Sequence, residues 1–402
     1  MINANKQLIF LKLTISGHPL FKDEIYFSVV NSDRVLEDYE SHLHHLFGSV
    51  WVNKLITLIG KNATGKTTTM KAVIGILTFL LQAKSIEQTQ LNDVLLGTNP
   101  IQFTTYFYGS DQVVYKDVLT FNLNQSTNSW YVTSEKIYRK KVPMRTPKRS
   151  LFTFPTSAKP VLDRDQLDPI VASVLAPDDS MFRTIISQQQ YQTQTIVDTL
   201  VFTNVNALVY NNPNVPNEIL QFLDPTIEYL KIDQLPLKGG TKQLFYRLKF
   251  KNSPEEFTET NFATIEHYLS SGTAKGVTLY GNVLLALKTG GIIFVDELEN
   301  HFNHTIVRSF IEYFTDPEIN KNNATLIFST HYSELLSDIE LNDEIYFTKR
   351  ETKIELQRYS QANVRKDLNR SDVFDSDYLG GTSPDYHSYM ELKNATKGVV
   401  ND

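Results

Sequence analysis

The residues with the clearest chemistry form a loop that joins an apolar strand-like segment to an apolar helix-like segment. Gly60 and Gly65 bound this loop, and Lys66 and Thr67 follow directly. Glycine lets backbone N–H groups converge on phosphate oxygens with no Cβ in the way, and the start of a helix directs a positive dipole end at the same point. The spacing G-x-x-x-x-G-K-[ST] therefore predicts a nucleoside triphosphate site, with the Lys66 ammonium at the outer phosphates and the Thr67 hydroxyl on Mg²⁺. The residues predicted to contact the nucleotide are Gly60, Lys61, Asn62, Ala63, Thr64, Gly65, Lys66, Thr67 and Thr68.

Two adjacent carboxylates, Asp296 and Glu297, end a second apolar segment, residues 290–295. Asp296 is placed to hold Mg²⁺ through water, and Glu297 is placed to orient or deprotonate the water that attacks the γ-phosphate. The alternative interpretation is a strand that happens to end in a polar turn. The nucleotide loop in the same chain favours the catalytic interpretation.

A histidine, His331, follows the apolar segment 325–330 in the same way. A neutral imidazole at the end of a strand can donate a hydrogen bond to the γ-phosphate. On its own, His331 would be interpreted as a structural histidine. With the other motifs present, we predict that Glu297, His331 and Lys66 are the catalytic residues.

The segment Ser270, Ser271 and Gly272 precedes an apolar helix that runs through Leu287. Hydroxyls and a glycine at the start of a helix form a phosphate-binding arrangement. The same residues also fit an ordinary serine N-cap, and taken without the other motifs they favour that interpretation.

The elements around these residues alternate between the two types of secondary structure. Residues 55–59 and 70–81 read as the strand and helix that flank the nucleotide loop, and residues 8–30 read as a β-hairpin. Strand-like runs between 103 and 132 predict an antiparallel meander, and the chain after 243 alternates strand and helix. These patterns predict an α/β fold with a mixed central sheet and an antiparallel β subdomain.

Between these parts, the composition changes at Lys136. We expect an exposed basic linker from there to Arg149, followed by a helical lobe that prolines divide into short pieces. The basic residues could instead follow a nucleic-acid backbone. They are Lys136, Arg139, Lys140, Lys141, Arg145, Lys148 and Arg149.

The composition of the 402 residues is that of an ordinary globular protein, with 41% hydrophobic and 21% charged residues. The absence of cysteine excludes disulfides, thiolate metal sites and a cysteine nucleophile. The N-terminus lacks the layout of a signal peptide, and the longest apolar run, residues 73–81, is too short to span a bilayer. We therefore expect a cytoplasmic protein with no membrane partner. A net charge of −6 limits any nucleic-acid contact to a local patch.

The motif order resembles that of the ATP-binding-cassette (ABC) ATPases: nucleotide loop, Leu-Ser-Ser-Gly, Asp-Glu, then histidine. Within them, the string from Asp296 to His301 resembles the soluble branch that includes SMC, RecF-type and OLD-like "AAA-type" ATPases, the last common in bacterial phage defence. The resemblance implies an ABC-type ATPase head formed by residues 1–135 and 240–402. It leaves residues 136–239 as an inserted basic linker and helical lobe.

The same resemblance implies ATP and Mg²⁺ as cofactors and a homodimer, or a higher oligomer built on it, that binds ATP between two heads. Ser270, Ser271 and Gly272 would then contact the nucleotide of the partner. Gln102 would join Thr67 and Asp296 as a metal ligand. Glu299, Asn300 and His301 would lie in the loop that crosses the dimer interface.

Two functions follow from these expectations. The first is a dimeric ATPase switch in which ATP closes the two heads and hydrolysis releases them. This switch would control a separate effector, such as a nuclease or toxin, in phage defence. The second is a RecF- or SMC-like ATPase that binds DNA through Lys136–Arg149 in repair or DNA sensing. A salt-dependent complex with duplex DNA would favour the second function.

Overall fold

The computed structural model describes residues 6–168, 170, 175–200, 216–236, 242–300, 302–365, 368–380 and 386–401. They form β-sheets with associated helices, which confirms the predicted mixed α/β class. The chain divides into two compact units. The first comprises Met1–Glu40, His44–Thr193 and Ser329–Asp402, and the second comprises Ser41–Leu43 and Gln194–Phe328.

The strands and helices are as follows. The strands are β1 (Lys6–Ser16), β2 (Ile25–Ser28), β3 (Leu43–Phe47), β4 (Val50–Asn53), β5 (Leu55–Ile59), β6 (Ile101–Gly109), β7 (Val113–Asn124), β8 (Ser129–Lys141), β9 (Leu162–Asp163), β10 (Tyr191–Thr193), β11 (Ile196–Asp198), β12 (Ile227–Pro236), β13 (Lys242–Phe250), β14 (Glu256–Glu259), β15 (Ile292–Val295), β16 (Thr325–Thr330), β17 (Ile345–Arg350) and β18 (Ile354–Arg358). The α-helices are α1 (Lys66–Leu81), α2 (Leu91–Val94), α3 (Phe182–Gln189), α4 (Asn217–Leu223), α5 (Phe262–Glu266), α6 (Ser271–Thr289), α7 (His304–Thr315), α8 (Arg370–Asp375) and α9 (Tyr386–Asn401).

The larger sheet of the first unit is mostly antiparallel. Its strands pair in the order β10-β1-β6-β7-β8-β9, with β2 also paired to β1, and β10 runs parallel to β1. This confirms the predicted hairpin and meander. Strand β7 covers most of the middle of the meander as one element and pairs with β6 and β8 along its length.

A second group of strands in the first unit positions the nucleotide loop. Strand β5 pairs in parallel with β17, and β17 forms an antiparallel hairpin with β18. All five residues of β5 are buried. Helix α1 follows β5 after six residues and is apolar around almost its whole circumference, so thirteen of its sixteen residues are buried. Both elements agree with the prediction.

The second unit contains a parallel arrangement and an antiparallel one. Strand β15 lies between β11 and β16 and is parallel to both, while β12, β13 and β14 form a separate antiparallel sheet. Helices α4, α5 and α6 contribute to an apolar core with that sheet, in which Leu220, Leu230 and Val277 have no exposed surface. Strand β15, helix α6 and the loop after β15 position the acidic pair.

The prediction of an exposed basic linker is wrong for its first part, Lys136–Lys141. Lys136–Lys141 is the last part of strand β8, and these residues pair one by one with Val113–Val118 of β7. At the start of this run, the buried Glu135 and Ile137 alternate with the half-buried Lys136 and Tyr138, so this part has one buried face, while Arg139 and Lys141 beyond it are exposed. Charge content alone did not show this alternation.

The prediction of a purely helical lobe is also wrong for the described residues. This region contains the helices α3 and α4, but it also contains β9, β10, β11 and β12. The division between the compact units falls after Thr193 and after Phe328, whereas the sequence placed boundaries at 135 and 240. Among the described helices, none has the length and apolar content needed to cross a membrane.

Candidate functional site

The two glycines of the nucleotide loop lie where a side chain would collide with the β17–β18 hairpin. A Cβ on Gly60 would lie 2.3 Å from Oγ1 of Thr348, and a Cβ on Gly65 would lie 2.5 Å from Cδ1 of Ile354. Gly65 also has a φ of 102° and precedes the first residue of α1, Lys66. The sequence predicted the glycines from phosphate chemistry, and the structure adds a packing requirement. Thr348 and Ile354 were missed because they follow the loop by almost 300 residues.

The ammonium of Lys66 lies inside the loop. Its Nζ donates to the carbonyl oxygens of Gly60 at 2.7 Å and Lys61 at 2.9 Å, and the residue is 5% exposed. The Thr64 hydroxyl donates to the Lys61 carbonyl at 2.8 Å and lies 2.7 Å from Oγ1 of Thr348. The two ends of the loop are therefore joined by one cation and anchored to β17.

The remaining loop positions are open to solvent or held in an unusual backbone conformation. Asn62, Ala63 and Thr67 are exposed and Thr68 is half-buried, so the Thr67 hydroxyl is accessible at the start of α1. Ala63 has a φ of 62°, in the left-handed region that glycine occupies more readily. A non-glycine residue in that region costs about 1–2 kcal/mol, and such strain is concentrated at functional sites.

These features fit a triphosphate with Mg²⁺. The first turn of α1, from Lys66 to Thr69, contains no acidic residue, and the helix is long enough to direct a dipole at its N-terminus. Lys66 provides a cation, and the glycines leave space for phosphate oxygens. Thr67 offers the hydroxyl that such sites use to ligate Mg²⁺.

Two further predicted residues lie in the first unit. His331 follows β16 directly and is half-buried. Gln102 lies near the start of β6, paired with Ser16 of β1 and Thr120 of β7, and is exposed. Its Nε2 donates to Oγ1 of Thr120 at 3.4 Å. The catalytic role of His331 and the metal role of Gln102 stay predictions.

In the second unit, the acidic pair lies at the end of β15, as the sequence indicated. Asp296 and Glu297 are half-buried, and Glu297 has a φ of 49°. The Glu297 carboxylate accepts a hydrogen bond from Nδ2 of Asn300 at 3.0 Å, and its carbonyl accepts one from the Asn300 N–H at 2.8 Å. Glu299 is buried, while His301 lies outside the described residues. The loop after β15 therefore holds the Glu297 side chain in a defined orientation.

Ser270 is the N-cap of α6, which confirms the helix start. Its Oγ accepts from the Thr273 N–H at 3.0 Å and lies 2.7 Å from Oγ1 of Thr273. Ser271 is exposed and Gly272 is half-buried in the first turn of this nineteen-residue helix. The N-cap interpretation is correct, and it leaves the first turn accessible for the predicted contact with a nucleotide.

A cavity of about 120 Å³ in the second unit includes Asp296 in its lining, together with Lys275, Asn282 and Thr199. The Thr199 hydroxyl donates to the Phe294 carbonyl at 2.7 Å, beside the end of β15. Lys275 places a cation in the same lining as the Asp296 carboxylate. No motif in the sequence marks Lys275 as a site residue. Its position one helical turn after Ser271 was the available signal.

The predicted site residues thus form two groups, one in each compact unit. The first group contains the nucleotide loop, Gln102 and His331. The second group contains Ser270, Ser271, Gly272, Asp296 and Glu297.

Comparison with known proteins gives one family match. Residues 211–337, about a third of the chain, match the family described as "AAA domain, putative AbiEii toxin, Type IV TA system". No curated protein matches the sequence.

Solved structures show distant likeness. An SMC head bound to the C-terminal winged-helix domain of ScpA is 11% identical, with a TM-score of 0.43 over 87% of this chain and 98% of that one. The recombination mediator RecF is 10% identical in two structures, each with a TM-score of 0.39. The structure of RecF with ATPrS covers 88% of this chain and 99% of the RecF chain, and the structure with ATP covers 89% and 99%. Likeness at this level leaves the function to the residues of the chain itself.

Proposed function

We propose that the protein is a Mg²⁺-dependent ATPase that binds ATP at Gly60–Thr68. The observation that best supports this is the geometry of the loop. No side chain fits at Gly60 or Gly65, and the loop carbonyls hold the Lys66 ammonium. Bound ATP and Mg²⁺ would supply an activated γ-phosphate. Lys66 and the first N–H groups of α1 would stabilise the negative charge that develops there, with Thr67 as a metal ligand. The choice of adenine over guanine rests on the resemblance to ABC ATPases.

For the hydrolytic step, we assign Asp296 to Mg²⁺ and Glu297 to the attacking water. The support is the order of the motifs and the local geometry at the end of β15. The left-handed φ of Glu297 is a sparsely populated conformation that must be enforced by its surroundings, and the hydrogen bonds of Asn300 supply part of that restraint. His331 as a γ-phosphate contact and Gln102 as a further metal ligand belong to the same proposal.

ATP would also join two copies of the chain. In this proposal Ser271 and Gly272 contact the nucleotide of the partner, because they are accessible at the start of a long helix whose cap, Ser270, is satisfied within its own chain. ATP binding then closes a homodimer and hydrolysis at Glu297 opens it. A ligand shifts such an equilibrium only by its differential affinity for the two states.

We further propose that this switch controls a separate effector in the bacterial cytoplasm, in defence against phage. The support is the resemblance of the motif set to OLD-like ATPases. The description of the matching family, which names a putative toxin, is compatible with a two-component system of this kind.

The alternative function, DNA binding through Lys136–Arg149, is less well supported. Lys136 lies 3.3 Å from the Asp165 carboxylate, and Lys140 donates to the carbonyls of Ser150 and Thr153 at 2.6 Å and 2.7 Å. These two lysines are already engaged within the chain and are poor candidates for phosphate contacts, so DNA binding would rest on the other five cations of the run.

The test is a calorimetric titration of ATP with Mg²⁺ into three forms of the protein. Lys66→Ala is expected to weaken binding by about tenfold or more, because it removes a charge-assisted contact to phosphate. Lys71→Ala, on the same helix but paired with Asp93 at the surface, is the matched control and is expected to bind as the unmodified protein does. Equal affinity for all three forms would exclude the loop as the ATP site.

Light scattering of Glu297→Gln with ATP tests the dimer separately. Removal of the catalytic carboxylate should leave ATP bound and the closed dimer populated, which doubles the measured mass. A monomer that still binds ATP would contradict the dimeric switch while leaving the ATP site intact.

A further inference from the structure

A second, larger cavity lies entirely within the first unit and shares no lining residue with the nucleotide loop. Its volume is about 620 Å³, within the range of pockets that bind small organic ligands. Its lining comes from β1, from β2 and the segment that follows it, from β17 and β18, and from the segment around Arg149 and Phe152.

The lining is strongly cationic. It contains Lys12, Lys148, Arg149 and Arg358, and none of the described residues that line it is Asp or Glu. Arg358 is neutralised by the Asp343 carboxylate at 3.0 Å. The other three cations have no ion pair in the described part of the chain. The lining residues therefore carry an excess of about three positive charges, which the Glu24 carboxylate bonded to the Tyr26 hydroxyl reduces in part, and the balance favours an anionic occupant.

Lys12 is the most unusual of these cations. Its Nζ lies 4.6 Å from the ring centre of Tyr26 and 5.3 Å from that of Phe152. Partial burial lowers the pKa of Lys12, and the nearby Glu24 only partly offsets this effect. In the described structure Lys12 forms no hydrogen bond, so a partly desolvated ammonium lies between two aromatic rings with no anion bonded to it. An anionic ligand would compensate that desolvation.

We propose that this cavity is a second binding site, for a small organic anion with a flat ring, of the nucleoside monophosphate class. Lys12 and Arg149 would bind the phosphate, and the exposed Tyr26 ring and the half-buried Phe152 ring would pack on the base. Lys148 contributes charge while its Nζ donates to the Asp33 carbonyl at 2.6 Å. A bounded cavity in a protein of net charge −6 favours a small ligand over a polynucleotide.

The same cavity is connected to the nucleotide loop through the β17–β18 hairpin. Tyr346 on β17 and Arg358 on β18 belong to its lining, while Thr348 and Ile354 of the same hairpin are the residues against which Gly60 and Gly65 pack. A ligand that shifts this hairpin would change the space at both glycines. We infer that it modulates ATP affinity; this second step rests on the proposed function, whereas the binding itself does not.

The binding is tested with Lys66→Ala, which disables the nucleotide loop, and with AMP, GMP, CMP and UMP as probes in a calorimetric titration. At least one is expected to bind saturably, and adding Arg149→Ala should weaken that binding by about tenfold or more. Arg149 is exposed, so its replacement leaves the fold intact, and Lys12→Met provides a second test that keeps the apolar stem. Lys116→Ala is the matched control, because Lys116 also lies over a tyrosine ring, 5.6 Å from the centre of Tyr138, but outside the cavity.

Several outcomes would overturn the site: no saturable binding by any of the four probes, equal binding after Arg149→Ala and Lys12→Met, or tighter binding of an oligonucleotide through the same residues. The coupling is tested by titrating ATP with and without the probe that binds. A change in ATP affinity of about fivefold or more that Arg149→Ala abolishes would support it. An unchanged ATP affinity would exclude the coupling alone, and loss of ATP binding in the unmodified protein would count against the proposed function alone.

Discussion

The Nδ2 amide of Asn300 donates a hydrogen bond to Oε2 of Glu297 at 3.0 Å, three residues along the same loop. The Asn300 N–H also donates to the Glu297 carbonyl, and the Glu297 backbone has a φ of 49°. The two hydrogen bonds restrain both the side chain and the backbone of the proposed catalytic carboxylate. Asn300 is therefore a positioning residue in this account.

Replacing Asn300 should slow hydrolysis more than it weakens ATP binding. Asn300→Ala leaves Glu297 in place but less well oriented, so we expect kcat to fall by about tenfold. This loss is smaller than the roughly 100-fold or larger loss of kcat expected for Glu297→Gln. Asn300→Asp has the same size and sets a carboxylate against Oε2, so its kcat should fall further. Steady-state kinetics with ATP measure both, and a kcat unchanged in Asn300→Ala and Asn300→Asp would show that this hydrogen bond does not orient Glu297.

Adding a methyl group at Gly65 should damage both the fold and the nucleotide site. The substitution combines a φ of 102° with a Cβ 2.5 Å from Ile354. Gly380 is a suitable control because it has a φ of 74° and no atom of the described residues lies within 4 Å of its Cβ position. Gly380→Ala should cost about 1–2 kcal/mol of unfolding free energy from the backbone alone, and Gly65→Ala should cost more. Urea denaturation measures the free energy of unfolding of both variants. An equal loss in the two would mean that the Ile354 side chain moves aside without a cost in stability.

A buried carboxyl pair in the antiparallel sheet should make stability depend on pH. Asp117 has no exposed surface and neither of its carboxyl oxygens has a hydrogen-bond partner in the described structure. Burial, and then the neighbouring Glu135, raise the pKa of Asp117 well above its ordinary value. Glu135 is better compensated, because it accepts from the Ser180 hydroxyl at 2.5 Å and the Met181 N–H at 2.8 Å.

The sign of the effect follows from this raised pKa. The folded state binds a proton at Asp117 more tightly than the unfolded state does, so stability is greatest below the unfolded pKa and falls as the pH rises toward the folded one. Asp117→Asn removes that dependence and should raise Tm at neutral pH by about 2 °C or more, with a smaller gain at pH 4. Asp93→Asn, at an exposed ion pair, should change Tm little at either pH. A gain for Asp117→Asn that is larger at acidic pH would contradict the raised pKa.

The sequence predicted the parts of the fold in which local pattern and tertiary structure agree. Residues 55–59 and 66–81 have both the composition and the chemistry of a strand and a helix around a phosphate loop, and Ser270 has the chemistry of an N-cap. The last part of strand β8 was missed because four cations, Lys136, Arg139, Lys140 and Lys141, concealed the short alternation around Ile137.

Contacts distant in sequence could not be predicted. Thr348 and Ile354 meet the loop glycines only because β17 pairs with β5, and no local signal fixes that pairing. The cationic cavity likewise joins Lys12, Arg149 and Arg358, which are far apart in the chain. Of the three, the sequence singled out only Arg149, as part of the basic run from Lys136.

The most direct measurement of the central claim is the release of phosphate from ATP in the presence of Mg²⁺ by the unmodified protein, Lys66→Ala and Glu297→Gln. We expect steady release by the unmodified protein, and this release should stop when Mg²⁺ is chelated. We also expect release lower by about 100-fold or more in Glu297→Gln, and loss of turnover together with ATP binding weaker by about tenfold or more in Lys66→Ala. Equal release by all three proteins, or no Mg²⁺-dependent release by the unmodified one, would contradict the account.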